Sequence, residues 1–160
     1  MAVYEYGSPV HSGLLKKWSN RAKLQAAWEL VDVLDYLEHH PAGQLRYADF
    51  KMNNFLLIGD RIKISDLDWV SSDQTKCNLE KPEPCQFGFC VDGVCRNETV
   101  RKHMGRFYQY FGPALLQLRG VQDFSTKRKL KLIHANLKSL NITARQLRDD
   151  LKSILEENLG

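Results

Sequence analysis

The chain lacks any run of about eighteen consecutive apolar residues, the length a membrane-spanning helix needs. Its first residues, "MAVYEYGSPVHSG", lack the basic start and apolar stretch of a secretory signal peptide. Neither a membrane segment nor an address is therefore expected within these 160 residues. Internal repeats and low-complexity tracts are also missing, which excludes solenoid arrays and biased linkers. Charge of one sign is scarce: 23 Lys and Arg oppose 19 Asp and Glu, for a net +4. The densest basic piece, "TKRKLKL" at 126–132, has no interleaved aromatics; it reads as a solvated helix face, and nucleic acid is not an expected partner. What is there is 43% hydrophobic and 26% charged, the composition of an ordinary globular domain large enough to bury a core.

All four cysteines fall within nineteen residues, as Cys77, Cys85, Cys90 and Cys95 in "CNLEKPEPCQFGFCVDGVC". Zinc prefers C-x2-C knuckles, whereas these intervals are x7, x4 and x4 in a stretch that also carries Pro, Gly and Asp. Two disulfides closing a loop are the preferred reading, with a small zinc module as the alternative. Asn97-Glu98-Thr99 and Asn141-Ile142-Thr143 are glycosylation acceptor patterns. Cysteines and acceptors together favour an oxidising, secretory-pathway or extracellular setting. Since no signal peptide precedes them, the chain is expected to be the C-terminal part of a longer protein.

Hydrophobic spacing predicts an α+β fold that is predominantly helical. Residues 2–6, "AVYEY", suit a short strand, and "GSP" at 7–9 breaks it. From Ser19 to His40, Leu24, Ala27, Trp28, Val31, Leu34 and Leu37 recur at helical steps, with Ser19 or Asn20 as the cap and Pro41 as the stop. His39 and His40 end this helix; histidines there complement the helix dipole, and adjacent side chains point in different directions, so a metal pair is not expected. Next come "QLRYADF", "NFLLI", the two-residue turn Gly59-Asp60 and "RIKISDLDWV", read as a β-hairpin. Loop-rich sequence runs from 71 to 95. Three helices follow, at about 98–118, 125–140 and 144–158, the last opened by the capping-box spacing Thr143 to Gln146.

The hairpin carries unusual polar cargo. Asp49 and Asn54 have the spacing D-x-x-x-x-N with Lys51 between them, and the hairpin leads out and back to Asp66 after the strand "IKIS". The loops before and after a hairpin lie at the same end, so these four groups can face one volume. Their types suit phosphoryl transfer, which needs a carboxylate to orient the attacking hydroxyl, hard oxygen ligands for magnesium, and a cation near the phosphate. Asp49 fills the first role, Asn54 and Asp66 the second, Lys51 the third.

"YADFKMNN" resembles the H-R-D-x-K-x-x-N catalytic loop of protein kinases, and "SDLD" resembles the D-F-G element at a similar separation. With "LEHHPAGQLRYADFKMNNFLLIGDRIKISDLDWV", the cysteine-rich insert and then "RFYQYF", the chain is similar to the divergent secretory-pathway kinases of the vertebrate lonesome kinase group. In that group D-L-D commonly replaces D-F-G and a cysteine-rich segment follows it. The resemblance implies one kinase-like large (C-terminal) lobe over 1–160. Within it, 1–10 would be the hinge, 45–70 the catalytic loop and metal-binding segment, 77–95 the cysteine-rich loop, and 98–160 the C-terminal helices. It also implies ATP and Mg2+ or Mn2+ as cofactors, and transfer of phosphate to a secreted or lumenal protein. The small lobe, with its glycine-rich loop and strand lysine, would precede Met1, so the chain alone is expected to be inactive and, around the hinge and Trp18, prone to associate. Tyr47 and Ala48 stand where kinases have His and Arg, which leaves no obvious partner for an activation-loop phosphate. Leu67 and Asp68 stand where D-F-G has Phe and Gly: Leu67 is expected as an apolar plug, Asp68 as an additional candidate metal ligand. No convincing Ala-Pro-Glu equivalent is present, since "KPEP" lies inside the cysteine cluster. The alternative function is a pseudokinase or interaction scaffold of the secretory pathway. One titration separates the cysteine readings: the denatured, unreduced chain should show no free thiol, whereas four thiols and bound zinc would contradict the disulfides.

Overall fold

The computed structural model describes residues 6–78, 80 and 85–157. In chain order the elements are β1 (Ser8–Pro9), α1 (Ser12–Leu15), α2 (Asn20–Glu38), β2 (Arg46–Tyr47), a 3-10 turn (Met52–Asn54), β3 (Phe55–Ile58) and β4 (Arg61–Ile64). There follow β5 (Val70–Ser71), β6 (Phe89–Val91), β7 (Val94–Arg96), α3 (Glu98–Tyr110), α4 (Gly112–Leu115), α5 (Phe124–Lys138) and α6 (Ala144–Glu157). The fold is mixed helix and sheet with two disulfides, and the helices supply most of its core.

Helix α2 is the central post. Ser19 caps it, its Oγ accepting the Ala22 N–H at 3.2 Å, and Leu24, Ala27, Val31 and Leu34 are fully buried along its stripe. Helix α6 packs along it through Leu147, Leu151 and Ile154. Charge joins the two helices: buried Asp35 of α2 pairs with Arg148, which also reaches Asp32 at 3.3 Å, and with Arg145 at 3.4 Å. The predicted capping box opens α6, with Thr143 Oγ1 accepting the Gln146 N–H and Gln146 Oε1 accepting the Thr143 N–H. A second knot of the core is aromatic: Phe50 and Phe55 meet Phe111 edge-on at 5.7 and 5.0 Å between ring centroids.

Several local expectations are corrected. Residues 2–5 of the expected first strand lie outside the described residues, as does "KPEP", and Tyr6 is exposed. Ser8–Pro9, expected to break structure, instead pairs with Leu57 and Leu56 as the edge of the three-stranded sheet β1-β3-β4. A proline fits there because its missing N–H removes nothing from an edge. The helix expected over 98–118 is two helices, bent at Phe111, because Pro113 has no N–H to continue the ladder and its ring would strike the carbonyl four residues back.

The run 61–70 is not one strand: β4 ends at Ile64, and Val70–Ser71 returns to pair with Arg46–Tyr47. Inside the supposed loop of 71–95, β6 and β7 form a further hairpin, turned by Asp92 and Gly93 at φ 51° and 76°. That is the pair of positive φ values a two-residue Asp-Gly turn requires. Disulfides Cys77–Cys90 and Cys85–Cys95 close this segment. Gly88 is fixed by contact, since a Cβ there would lie 2.2 Å from the Arg96 carbonyl oxygen. On α5, Lys127, Arg128 and Lys131 are exposed while Leu130 and Ile133 are buried, although Leu132 is exposed with the basic residues. Among the described residues no helix is long and apolar enough to cross a membrane.

Candidate active site

Strands β2 and β5 tie off a loop of chain between them. Arg46 pairs with Ser71 and Tyr47 with Val70, and just inside that pairing the Ala48 N–H donates to the Trp69 carbonyl at 3.0 Å. Within the loop the hairpin β3–β4 leads out and back, and the Ser65 N–H donates to the Asn54 carbonyl at 3.0 Å. Gly59 makes the turn at φ 65°, the sign a type II′ turn needs at its first central position. Residues 48–54 and 65–69 are thus held alongside each other, with Phe50 and Phe55 buried beneath as anchors.

Asp49 Oδ2 accepts the Asn54 Nδ2–H at 2.8 Å and lies 2.7 Å from Lys51 Nζ. The same Asn54 nitrogen donates to the Asp49 carbonyl at 2.9 Å, which turns the Asn54 oxygen away from Asp49. Lys51 first, and Asn54 second, hold the Asp49 carboxyl below the usual carboxylate range, and the Arg106 charge adds to this. Asp66 joins from the other side: its carbonyl accepts the Tyr47 hydroxyl at 2.8 Å and its Oδ1 accepts the Asp68 N–H at 2.9 Å. Burial pushes the Tyr47 phenol up, a side-chain hydrogen bond with Asn54 offsets part of this, and the Asp66 and Asp49 charges add to it. Tyr47 therefore stays a neutral donor. The structure thus links Asp49, Lys51 and Asn54 directly and Asp66 through Tyr47.

Asn54 Oδ1, Asp66 Oδ2 and Asp49 Oδ1 accept no hydrogen bond among the described residues. Such hard oxygen donors fit magnesium or manganese. Asp68 is exposed. Leu67, expected as an apolar plug, is 61% exposed beside the equally uncovered Trp69, because no described element packs over this turn.

Two further neighbours of the loop, a buried His–Glu pair and an arginine, escaped the sequence expectations. The Tyr47 N–H donates to His103 Nε2 at 3.1 Å, and His103 Nδ1 faces Glu38 Oε1 at 3.3 Å, with both side chains buried. Accepting at Nε2 places the imidazole proton on Nδ1, toward Glu38. The available signal was a histidine on the α3 stripe it shares with Phe107 and Phe111, and a glutamate at the end of the α2 stripe that contains Leu34. The other is Arg106, whose guanidinium lies over the Tyr110 ring, 5.9 Å from its centroid, on the Asp49 side of α3.

Other candidates resolve separately. Sulfurs of Cys77, Cys85 and Cys95 lie within 4.8 Å of one another, yet all four cysteines are in disulfides, which leaves no thiolate for zinc. His39 Nδ1 faces Asp35 while His40 Nδ1 accepts the Ala42 N–H, so the pair does not converge. Asn97 and Asn141 are both exposed and border one shallow surface groove.

Comparison with known proteins finds a distant similarity, to a protein kinase. The chain is similar to the human extracellular tyrosine-protein kinase PKDCC, with 26% identity over 125 residues. The match covers 71% of this chain and 24% of that protein, so the chain spans about a quarter of its relative's length. No protein-family model matches the chain. The similarity is to an extracellular kinase, at a distance, and the disulfides are consistent with a secretory or extracellular location.

A charge test follows from the Asp49 geometry. Lys51→Met should raise the Asp49 pKa toward the ordinary carboxylate value, read by carboxyl-carbon NMR titration. With a depressed folded pKa, Asp49 contributes stability above its unfolded pKa that is lost as pH falls through the folded value, so the variant should also be less sensitive to acid. An unmoved titration would show that Lys51 does not govern Asp49.

Proposed function

We propose that the chain is the large lobe of a divergent protein kinase that transfers phosphate from ATP to a hydroxyl of secreted or lumenal proteins. In this reading the rest of a longer protein supplies the small lobe, with its glycine-rich loop and lysine. The observation that carries the proposal is the Asp49 carboxylate, held ionised by Lys51 and Asn54, with the Asp66 backbone carbonyl held by the hydroxyl of Tyr47, two residues before Asp49.

Asp49 orients the acceptor hydroxyl and takes its proton; a partly exposed carboxylate with one free oxygen is suited to that task. Lys51, half-exposed next to it, holds positive charge at the transferring phosphate. Asn54 and Asp66, with Asp68 as an additional ligand, would hold Mg2+ or Mn2+ through oxygen. The metal would supply neutralisation of the ATP phosphates. His103 and Glu38 touch no substrate in this scheme; they position the loop through the Tyr47 N–H. Similarity to an extracellular tyrosine-protein kinase makes a tyrosine hydroxyl the first acceptor to test. The same setting supports N-glycans at Asn97 and Asn141, both exposed.

A second reading, an interaction scaffold, draws on one observation: Leu67 and Trp69 are exposed next to the site, as residues of a docking surface would be. Turnover separates the two. In the full-length protein, Asp49→Asn should reduce kcat by about a hundredfold or more while leaving the KM for ATP nearly unchanged, and Asp66→Asn should raise the magnesium requirement. Unchanged turnover in Asp49→Asn, with a flat magnesium response in Asp66→Asn, would leave the scaffold.

A further inference from the structure

Away from this loop, Lys16, Lys23 and Arg119 line one cavity of about 430 Å3, together with Gln117, Pro113 and Ala114. No carboxylate is among its walls. Three elements meet there: Lys16 follows α1, Lys23 lies on the first turn of α2, and Gln117 to Arg119 follow α4.

Lys23 is the unusual member, because it is 2% exposed. An ammonium has three donors to satisfy, and the contact it makes is with the Gln117 carbonyl at 3.4 Å, the far end of hydrogen-bonding range. No acid offsets its charge among the described residues. A buried cation without a counter-charge is costly, and the Lys23 pKa is accordingly pushed down, by burial first and by the Arg119 charge second. Lys16 and Arg119 are exposed at the rim, and neither side chain enters an ion pair among the described residues.

The arrangement is held in place. Asn20 clamps the Arg119 backbone from both sides, its Nδ2 donating to the Arg119 carbonyl at 2.7 Å and its Oδ1 accepting the Arg119 N–H at 3.0 Å. One wall of the cavity, the segment that carries Arg119, is therefore fixed to the start of the central helix, which also carries Lys23.

We propose that this cavity binds a phosphate group, with Lys23 at its base and Lys16 and Arg119 at its rim. Three cations with no internal counter-charge among the described residues match a dianion with three terminal oxygens better than they match a singly charged carboxylate. The volume leaves room for part of whatever molecule carries the phosphate. The proposal is independent of phosphoryl transfer at Asp49, since none of its residues belongs to that site.

Calorimetric titration of the full chain with inorganic phosphate and with O-phosphoserine tests it and separates a free ion from a phosphomonoester. Both should bind, or phosphoserine alone where the carrier contributes. The double variant Lys16→Ala/Arg119→Ala, altered only at exposed positions, should weaken binding by about tenfold or more. Lys23→Met, which keeps the apolar stem, should abolish it. Lys17→Ala removes the same charge one residue from Lys16 at a position that does not line the cavity, and it should bind like the parent. Absence of binding by both probes would overturn the proposal, as would equal losses in Lys17→Ala and the double variant.

Discussion

Tyr47 is the residue on which the candidate site depends. Its N–H is held by His103, its hydroxyl by the Asp66 carbonyl, and its backbone pairs with Val70 across β2 and β5. Each of its two side contacts reaches a different segment: α3 through His103, and the turn after β4 through Asp66. A buried donor left without its acceptor costs about 1–3 kcal/mol, so both contacts are strongly held. Asp49 lies two residues beyond this knot and Asp66 is bound to it directly. The loop's shape is consequently set by burial and hydrogen bonding rather than by the charged groups it presents.

This arrangement bears on the two positions at which the chain differs from the kinase loop it resembles. Where the resemblance leads one to expect histidine and arginine, the chain has Tyr47 and Ala48. A histidine nevertheless lies next to the loop: His103 enters from α3 and accepts from the Tyr47 backbone, with Glu38 behind it. Tyr47 can then spend its side chain on Asp66. Lacking a guanidinium at Ala48, the loop is ordered by buried neutral contacts, which do not require a phosphate to form.

Much of this was legible in the sequence where the signal is local. The stripe of α2 with its Ser19 cap, the capping box from Thr143 to Gln146, the Gly59 turn and the clustered cysteines each follow from near-neighbour chemistry, and the structure has them. The misses are of two kinds. Some signals were present but unread: "VDGV" is a two-residue turn flanked by β-branched residues, and Pro113 announces the bend after α3. Others are not local at all. That Val70–Ser71 returns to Arg46–Tyr47, or that His103 meets a backbone N–H 56 residues earlier, depends on packing that no window of sequence contains. For the site, the linkage of Asp49, Lys51 and Asn54 was readable from spacing; the dependence on Glu38 and His103 was not.

Under the proposed function, the two loop ends tied by Tyr47 would together offer oxygens to one divalent cation. Paramagnetic broadening of amide NMR signals by Mn2+ tests this most directly, because it requires neither substrate nor turnover. Selective broadening is expected at residues 49–54 and 66–68, diminished in Asp66→Asn. Broadening centred elsewhere, or at one loop end without the other, would contradict a shared site.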